Sequence, residues 1–301
     1  MPRQLLVFLS LLLMTACANK KAQRSAGDVP ASEIRTNNLK NTYGTYARPP
    51  RKGGPDDRVD IPKLIDQLKD LHANTYHWLI WHNVNDWDDL KLFLPEARKN
   101  NIKVWVTILP PSESKPISKF DSEPYAQDYQ RWATEIALLS VKEPSLVAWS
   151  IDDFAHNLTR FTPAFTDSCL QKAREVNPRL AFIPCVYYRQ VTPAFAANYG
   201  PLMDGILFPY RAESVRANLQ DPTMVQKEID TLRTLFRKDF PVIVDIYASA
   251  HSRLGPSTPE YVKNVLSLSH HYAEGILIFC HQDPVTASEK YNLIKAEFSK
   301  Q

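Results

Sequence analysis

The sequence predicts an α/β fold, a (β/α)8 TIM barrel forming a single domain, and three observations carry that expectation. From residue 43 onward, short β-rich runs alternate with longer helical patterns. Most of the short runs are continuously apolar rather than alternating, as parallel strands covered on both faces should be. A doubly wound open sheet would show a glycine-rich phosphate turn after its first strand; none is present in a chain with only eight glycines.

Ahead of the barrel, Arg3 and the apolar run 5–14 read as a signal peptide. That run is about ten residues, against about twenty for a bilayer span. Met14-Thr15-Ala16-Cys17 resembles the lipobox of bacterial lipoproteins, with Met14 in place of the usual Leu. The resemblance implies a signal peptide of residues 1–16, a lipidated Cys17, and a chain anchored in the bacterial cell envelope, periplasmic or surface-facing. An ordinary cleaved signal with an incidental Cys is the alternative. Residues 17–40 are polar and poor in large apolar groups, so they are expected to be a flexible tether. The barrel domain is assigned to 41–301.

Strands are expected at 43–48, 75–81, 103–109, 146–151, 181–186, 205–208, 242–247 and 275–279. Helices are expected at 61–72, 87–100, 125–140, 166–176, 223–236, 259–271 and 287–299, with a short candidate at 193–198. Asp60 before Ile61-Pro62, and Thr258 before Pro259, supply N-caps. Ile61, Leu64, Ile65, Leu68 and Leu71 form one apolar stripe at helical spacing, with charged residues between them.

Formal net charge is +3, with Lys and Arg spread along the chain. Phosphate binding needs a concentrated basic face, so nucleic acid is not an expected partner. Of the four cysteines, Cys169, Cys185 and Cys280 lie in the domain without zinc spacing. Their default reading is as small buried hydrophobes, with one disulfide left open. No metal or other cofactor is expected: His82 and His281 lack a metal-binding pattern, and His270-His271 reads as surface.

A barrel keeps its chemistry at the C-terminal ends of its strands. The most informative segment is Leu146-Val-Ala-Trp-Ser-Ile-Asp-Asp153, an apolar strand ending in two carboxylates. Alternation puts Leu146, Ala148, Ser150 and Asp152 on one face, so Asp152 is expected to enter the barrel mouth, with Asp153 following on the loop. The same parity turns Asp245 inward, where it is either a second catalytic carboxylate or a structural acid paired to an arginine. Substrate contacts are expected from Arg48, Trp81, His82, Asn83, Tyr187, Tyr188, Tyr210, Arg211, Tyr247, His281 and Gln282. Rings at a cleft suit sugar faces, and Arg48, Arg189 and Arg211 hint at an anionic sugar.

Trp149-Ser-Ile-Asp-Asp-Phe154 resembles the strand-four Asp-Asp motif of the β-N-acetylglucosaminidase family that includes O-GlcNAc hydrolases and bacterial hyaluronidase-like enzymes. It resembles more loosely the acidic strand-four motif of chitinase-like barrels. The likeness covers about ten residues and the barrel order, and the family's later asparagine contacts have no match here. It implies a glycoside hydrolase in which the substrate's acetamido group attacks the anomeric carbon, oriented by Asp152, while Asp153 is general acid/base. Asp153 as acid with Asp245 as second carboxylate is a variant. The alternatives are a non-catalytic glycan-binding lipoprotein and metal-dependent hydrolysis through His82, His281 and an Asp. The expected partners are a carbohydrate substrate and the membrane, the latter through the N-terminal lipid alone.

Overall fold

Eight parallel strands curl into the expected barrel: β1 (Thr42–Tyr46), β2 (Thr75–Ile80), β3 (Lys103–Ile108), β4 (Leu146–Ile151), β5 (Ala181–Phe182), β6 (Ile206–Pro209), β7 (Val242–Tyr247) and β10 (Gly275–Phe279). The spatial order is β5-β4-β3-β2-β1-β10-β7-β6. A parallel bridge between Cys185 and Leu207 links the two remaining edges. The structure is a computed structural model that describes residues 29–81 and 83–301. The segment expected to be a signal peptide, Cys17 and His82 lie outside the described residues.

Three differences from the sequence reading have physical causes. The strand expected at 181–186 stops at Phe182, because Pro184 has no N–H to give the ladder; its carbonyl still accepts from Leu207 N at 3.0 Å. The register between β3 and β4 slips, with Val104 opposite Leu146 and Trp105 opposite Ala148. This bulge moves Leu146 to the helix-facing core and Val147 against the inner one, while Ala148, Ser150 and Asp152 keep the expected inward parity. Finally, the stretch expected as tether ends in helix α1 (Ala31–Leu39), whose Leu39 is fully buried and whose Arg35 binds Asp204 at 2.8 Å. Residues 31–40 therefore belong to the domain.

The outer helices are α2 (Ile61–Asp70), α3 (Asp86–Lys99), α4 (Tyr129–Lys142), α5 (Pro163–Val176), α6 (Pro193–Tyr199), α7 (Val225–Leu235), α8 (Pro259–Tyr272) and α9 (Ser288–Phe298). Three share one start device: Thr162, Thr192 and Thr258 each precede a Pro and accept from the third helical amide. A short hairpin, β8 (Ala250–His251) with β9 (Gly255–Pro256), rises after β7. Gly44 allows β1 to approach β2, since a Cβ there would lie 2.1 Å from the Thr75 carbonyl oxygen.

Two apolar layers result. The larger lies between strands and helices. The smaller fills the barrel and includes Tyr46, Leu79, Trp105, Ala148, Ile183, Cys185, Leu207, Ile243 and Leu277. Cys169, Cys185 and Cys280 are buried free thiols, in keeping with their reading as small hydrophobes.

Candidate active site

The barrel mouth opens into a cleft of about 640 Å³, lined among others by Glu113, Asp152, Asp153, Tyr187, Arg211 and Tyr247. Asp153 follows β4 with φ 40°, a left-handed turn. That turn bends its carboxylate toward the space into which strand parity already sends Asp152. Both oxygens of Asp152 are engaged: Oδ2 accepts from the Tyr46 hydroxyl at 3.0 Å and Oδ1 from Asp153 N at 3.1 Å. Burial, then the Asp153 charge, push the Asp152 carboxyl up to about 7.

The third carboxyl, Glu113, was not among the residues singled out from the sequence. It ends a single turn (Pro111–Glu113) after β3 and lies within hydrogen-bonding reach of Asp153. Burial, then Asp152 and Asp153, raise it to about 8. Asp153 goes the other way. Burial would lift it, but His156, Tyr187 and Arg211 together hold it below the usual carboxylate range. His156 Nδ1 lies 3.4 Å from Asp153 Oδ2. Near neutrality the cleft therefore carries a proton-bearing Glu113 beside an ionised Asp153, a division of labour that acid–base chemistry requires.

Asn157 fixes the spacing of these two groups. Its Oδ1 accepts from Ser112 N at 3.0 Å, and its Nδ2 donates to Ser112 Oγ at 2.9 Å and to the Asp153 carbonyl at 3.0 Å. The residue before Glu113 is thereby pinned to the backbone of Asp153.

Asp245 lines the cleft floor but is only 2% exposed. Burial, then the Asp152 charge, raise its pKa well above the ordinary value. Among the described residues it forms no ion pair, and its Oδ1 is buried without a hydrogen-bond partner. Arginine pairing, one of its two expected roles, is thus not what the structure shows. Below the mouth, His77 stacks on Tyr46 with ring centroids 4.3 Å apart. Its burial pulls the imidazole down to about 3, so it is neutral.

Of the expected contacts, Trp81, Tyr187, Arg211 and Tyr247 line the cleft. The rest of the described ones lie elsewhere. Tyr188 is one residue out of phase with Tyr187 and packs against the helix-facing core. Tyr210 is fully buried, its hydroxyl donating to the Asp221 carbonyl at 2.7 Å. Asn83 ties down a neighbouring loop through Asp56 O at 2.8 Å. His281 is held between Thr45 Oγ1 and Gln67 Oε1, each at 2.9 Å. Gln282 turns back onto the Cys280 carbonyl at 2.6 Å. Arg48 points to solvent outside the cleft lining. Arg189 donates to the carbonyls of Glu213 and Val215. In their place the cleft gains Tyr46, Glu113, His156, His251, Arg253 and Phe279.

Donor atoms of Asp152, Asp153 and Cys185 lie within 4.8 Å of one another. Burial and the neighbouring acids keep the Cys185 thiol protonated, which disfavours it as a metal ligand.

No protein family model matches the chain, and no curated protein matches it. Solved structures do match. A GH2 beta-galacturonidase from Eisenbergiella tayi bound to galacturonate aligns over 87% of this chain and 51% of its own, with TM-score 0.59 and 13% identity. A GH113 beta-1,4-mannanase aligns over 87% and 99%, with TM-score 0.58 and 10% identity. The endoglucanase Cel5A of Pseudomonas stutzeri aligns over 85% and 93%, with TM-score 0.57 and 10% identity. The chain spans about half the length of the galacturonidase and of a beta-D-glucuronidase from Dictyoglomus thermophilum, 51% and 50% respectively. At such identities the likeness is one of fold: the architecture is that of glycoside hydrolase barrels, and function has to be argued from the site.

Proposed function

We propose that this chain is a glycoside hydrolase whose working acids are Glu113 and Asp153, positioned by Asp152. The carrying observation is the opposite displacement of two adjacent carboxyls, Glu113 up to about 8 and Asp153 below its usual range. Glu113 gives its proton to the glycosidic oxygen as the bond to the anomeric carbon breaks. Asp153, ionised, stabilises the positive charge that develops on the sugar. Glu113, left as a carboxylate, then takes the proton of the incoming water. The sequence-based roles thus shift: Asp152, with both oxygens engaged, orients Asp153, and proton transfer falls to Glu113.

Asp245, buried and with its pKa raised well above the ordinary value, is a poor nucleophile. That favours a nucleophile supplied by the substrate, as an N-acetylhexosamine would supply through its acetamido oxygen. Tyr46, Trp81, Tyr187, Tyr247 and Phe279 offer faces for sugar rings, and the fold neighbours named for glycan cleavage agree with this class. For localisation we propose a lipid-anchored envelope protein, modified at Cys17; loss of metabolic palmitate labelling in Cys17→Ser would support it, and unchanged labelling would reject it.

The test is a glycan library incubated with the full chain in detergent, with products read by mass spectrometry and Asp153→Asn and Glu113→Gln alongside. Cleavage by the parent and not by the variants supports the reading. Retention of glycans without cleavage by any form replaces it with a glycan-binding lipoprotein.

A further inference from the structure

One wall of the cleft is cationic, and its hydrogen bonding does not close. His251, on the β8–β9 hairpin, accepts at Nδ1 from the backbone N–H of Arg253 at 3.0 Å. Burial, then Arg211 and Arg253, lower its pKa, so the ring is neutral. A neutral imidazole that accepts at Nδ1 carries its proton on Nε2. Yet Nε2 lies 3.1 Å from Arg211 Nη1, which can only donate. Two donors therefore face each other.

Arg211 shows the same lack at a second atom. Its Nη2 is paired with Glu213 and its guanidinium lies over the Tyr187 ring, 4.0 Å from the centroid, but its Nε is buried without a hydrogen-bond partner. Arg253, exposed on the hairpin, lines the same cleft and among the described residues has no acidic partner. Opposing donors are relieved by an oxygen that accepts from both, and an anionic oxygen gains most.

We propose that Arg211, His251 and Arg253 form a subsite for the carboxylate of an acidic sugar, so that the substrate is a glycan containing a uronic acid. This rests on reading the cleft as a sugar site. A planar carboxylate fits better than a tetrahedral sulfate: one oxygen accepts from Arg211 Nη1 and His251 Nε2 together, and the other is left for the Arg253 fork.

The test uses the full chain in detergent carrying Asp153→Asn, so that binding is read without turnover. A panel of uronic acid oligosaccharides is titrated by calorimetry against the methyl esters of the same compounds, with inorganic sulfate as a separate arm. The free acids should bind at least ten-fold more tightly than the esters. Adding Arg253→Gln or His251→Gln should remove most of that preference, with the thermal melt unchanged. Equal binding of acid and ester, binding of neither, or a preference indifferent to both substitutions overturns the proposal. So does sulfate binding more tightly than every acid. A chain that cleaves neutral glycans without preferring acids loses this subsite and keeps the hydrolase reading. One that binds the acids and cleaves nothing keeps the subsite and loses the hydrolase.

Discussion

The two poles of the barrel solve their electrostatics in opposite ways. At the floor, where strands begin, charges are matched. Arg35 binds Asp204 Oδ1 at 2.8 Å, and Arg174 lies 4.0 Å from Oδ2, which accepts from Phe182 N at 2.9 Å. Lys103, drawn down to about 8 by burial, donates to the carbonyls of Asn38 and Lys40 at the end of α1, at 3.2 and 3.1 Å. At the mouth, carboxyls crowd one another, donors face donors, and Asp245 Oδ1 has no partner. Backbone conformation divides likewise. Left-handed residues at the floor include Asn41 and Asn101, a type that tolerates this region, whereas the mouth also uses Ala47, Arg48 and Ala212, which do not. Unpartnered buried atoms occur at both poles, among them Arg233 Nε near the floor, but at the mouth those of Arg211 and Asp245 belong to residues that line a cleft a substrate can enter.

The sharpest way to break this contrast is Asp153→Asn. It should lower kcat by about 10³-fold or more while leaving the melting temperature nearly unchanged, because the mouth contributes chemistry and little stability. Glu113→Gln should cost about 10²–10³-fold in kcat. In the parent, kcat/KM should fall as pH rises through about 8, where Glu113 loses its proton; the variant's residual activity should lack that limb. A parent profile flat from pH 6 to 10 would exclude Glu113 as the acid.

Asp204→Ala attacks the floor instead. Leaving Arg35 and the Phe182 amide unpaired should cost about 2–3 kcal/mol in urea denaturation, with kcat at 25 °C unaltered. A further consequence is the pH dependence of stability itself. Glu113 titrates near 8 in the folded chain against 4.5 ordinarily, and Asp152 near 7 against 3.8. Between those values the folded state binds more protons than the unfolded one, so stability falls as pH rises from about 4 to about 8. Glu113→Gln should flatten the upper part of that slope; an unchanged slope would remove the mouth as its source.

Most of the barrel was legible because parallel strands buried on both faces leave continuous apolar runs, and period-two alternation turned Asp152, Asp245 and Tyr247 toward the interior, where all three line the cleft. What alternation cannot see is a bulge such as that at Val147, or a ladder cut short by Pro184. The candidate site was half legible for the same reason. Asp152 and Asp153 follow a strand, so their positions were readable. Glu113 and Arg253 lie in a turn and a hairpin, where no period relates sequence to direction, and only the folded loops bring them to the cleft. Tyr188, Tyr210, Asn83, His281 and Gln282 failed because the polar residues that follow a strand also brace its loops.

The bonds from Asn157 to Ser112 and to the Asp153 carbonyl bear on the timing of turnover. They join the segment after β3 to the segment after β4, and Ser122 Oγ ties the far end of the same loop to the Ile80 carbonyl at 2.7 Å. A loop riveted at both ends is a wall rather than a flap. On the proposed function this loop poses no gate for reactants to wait for, and thickening the solvent with sucrose should leave kcat untouched.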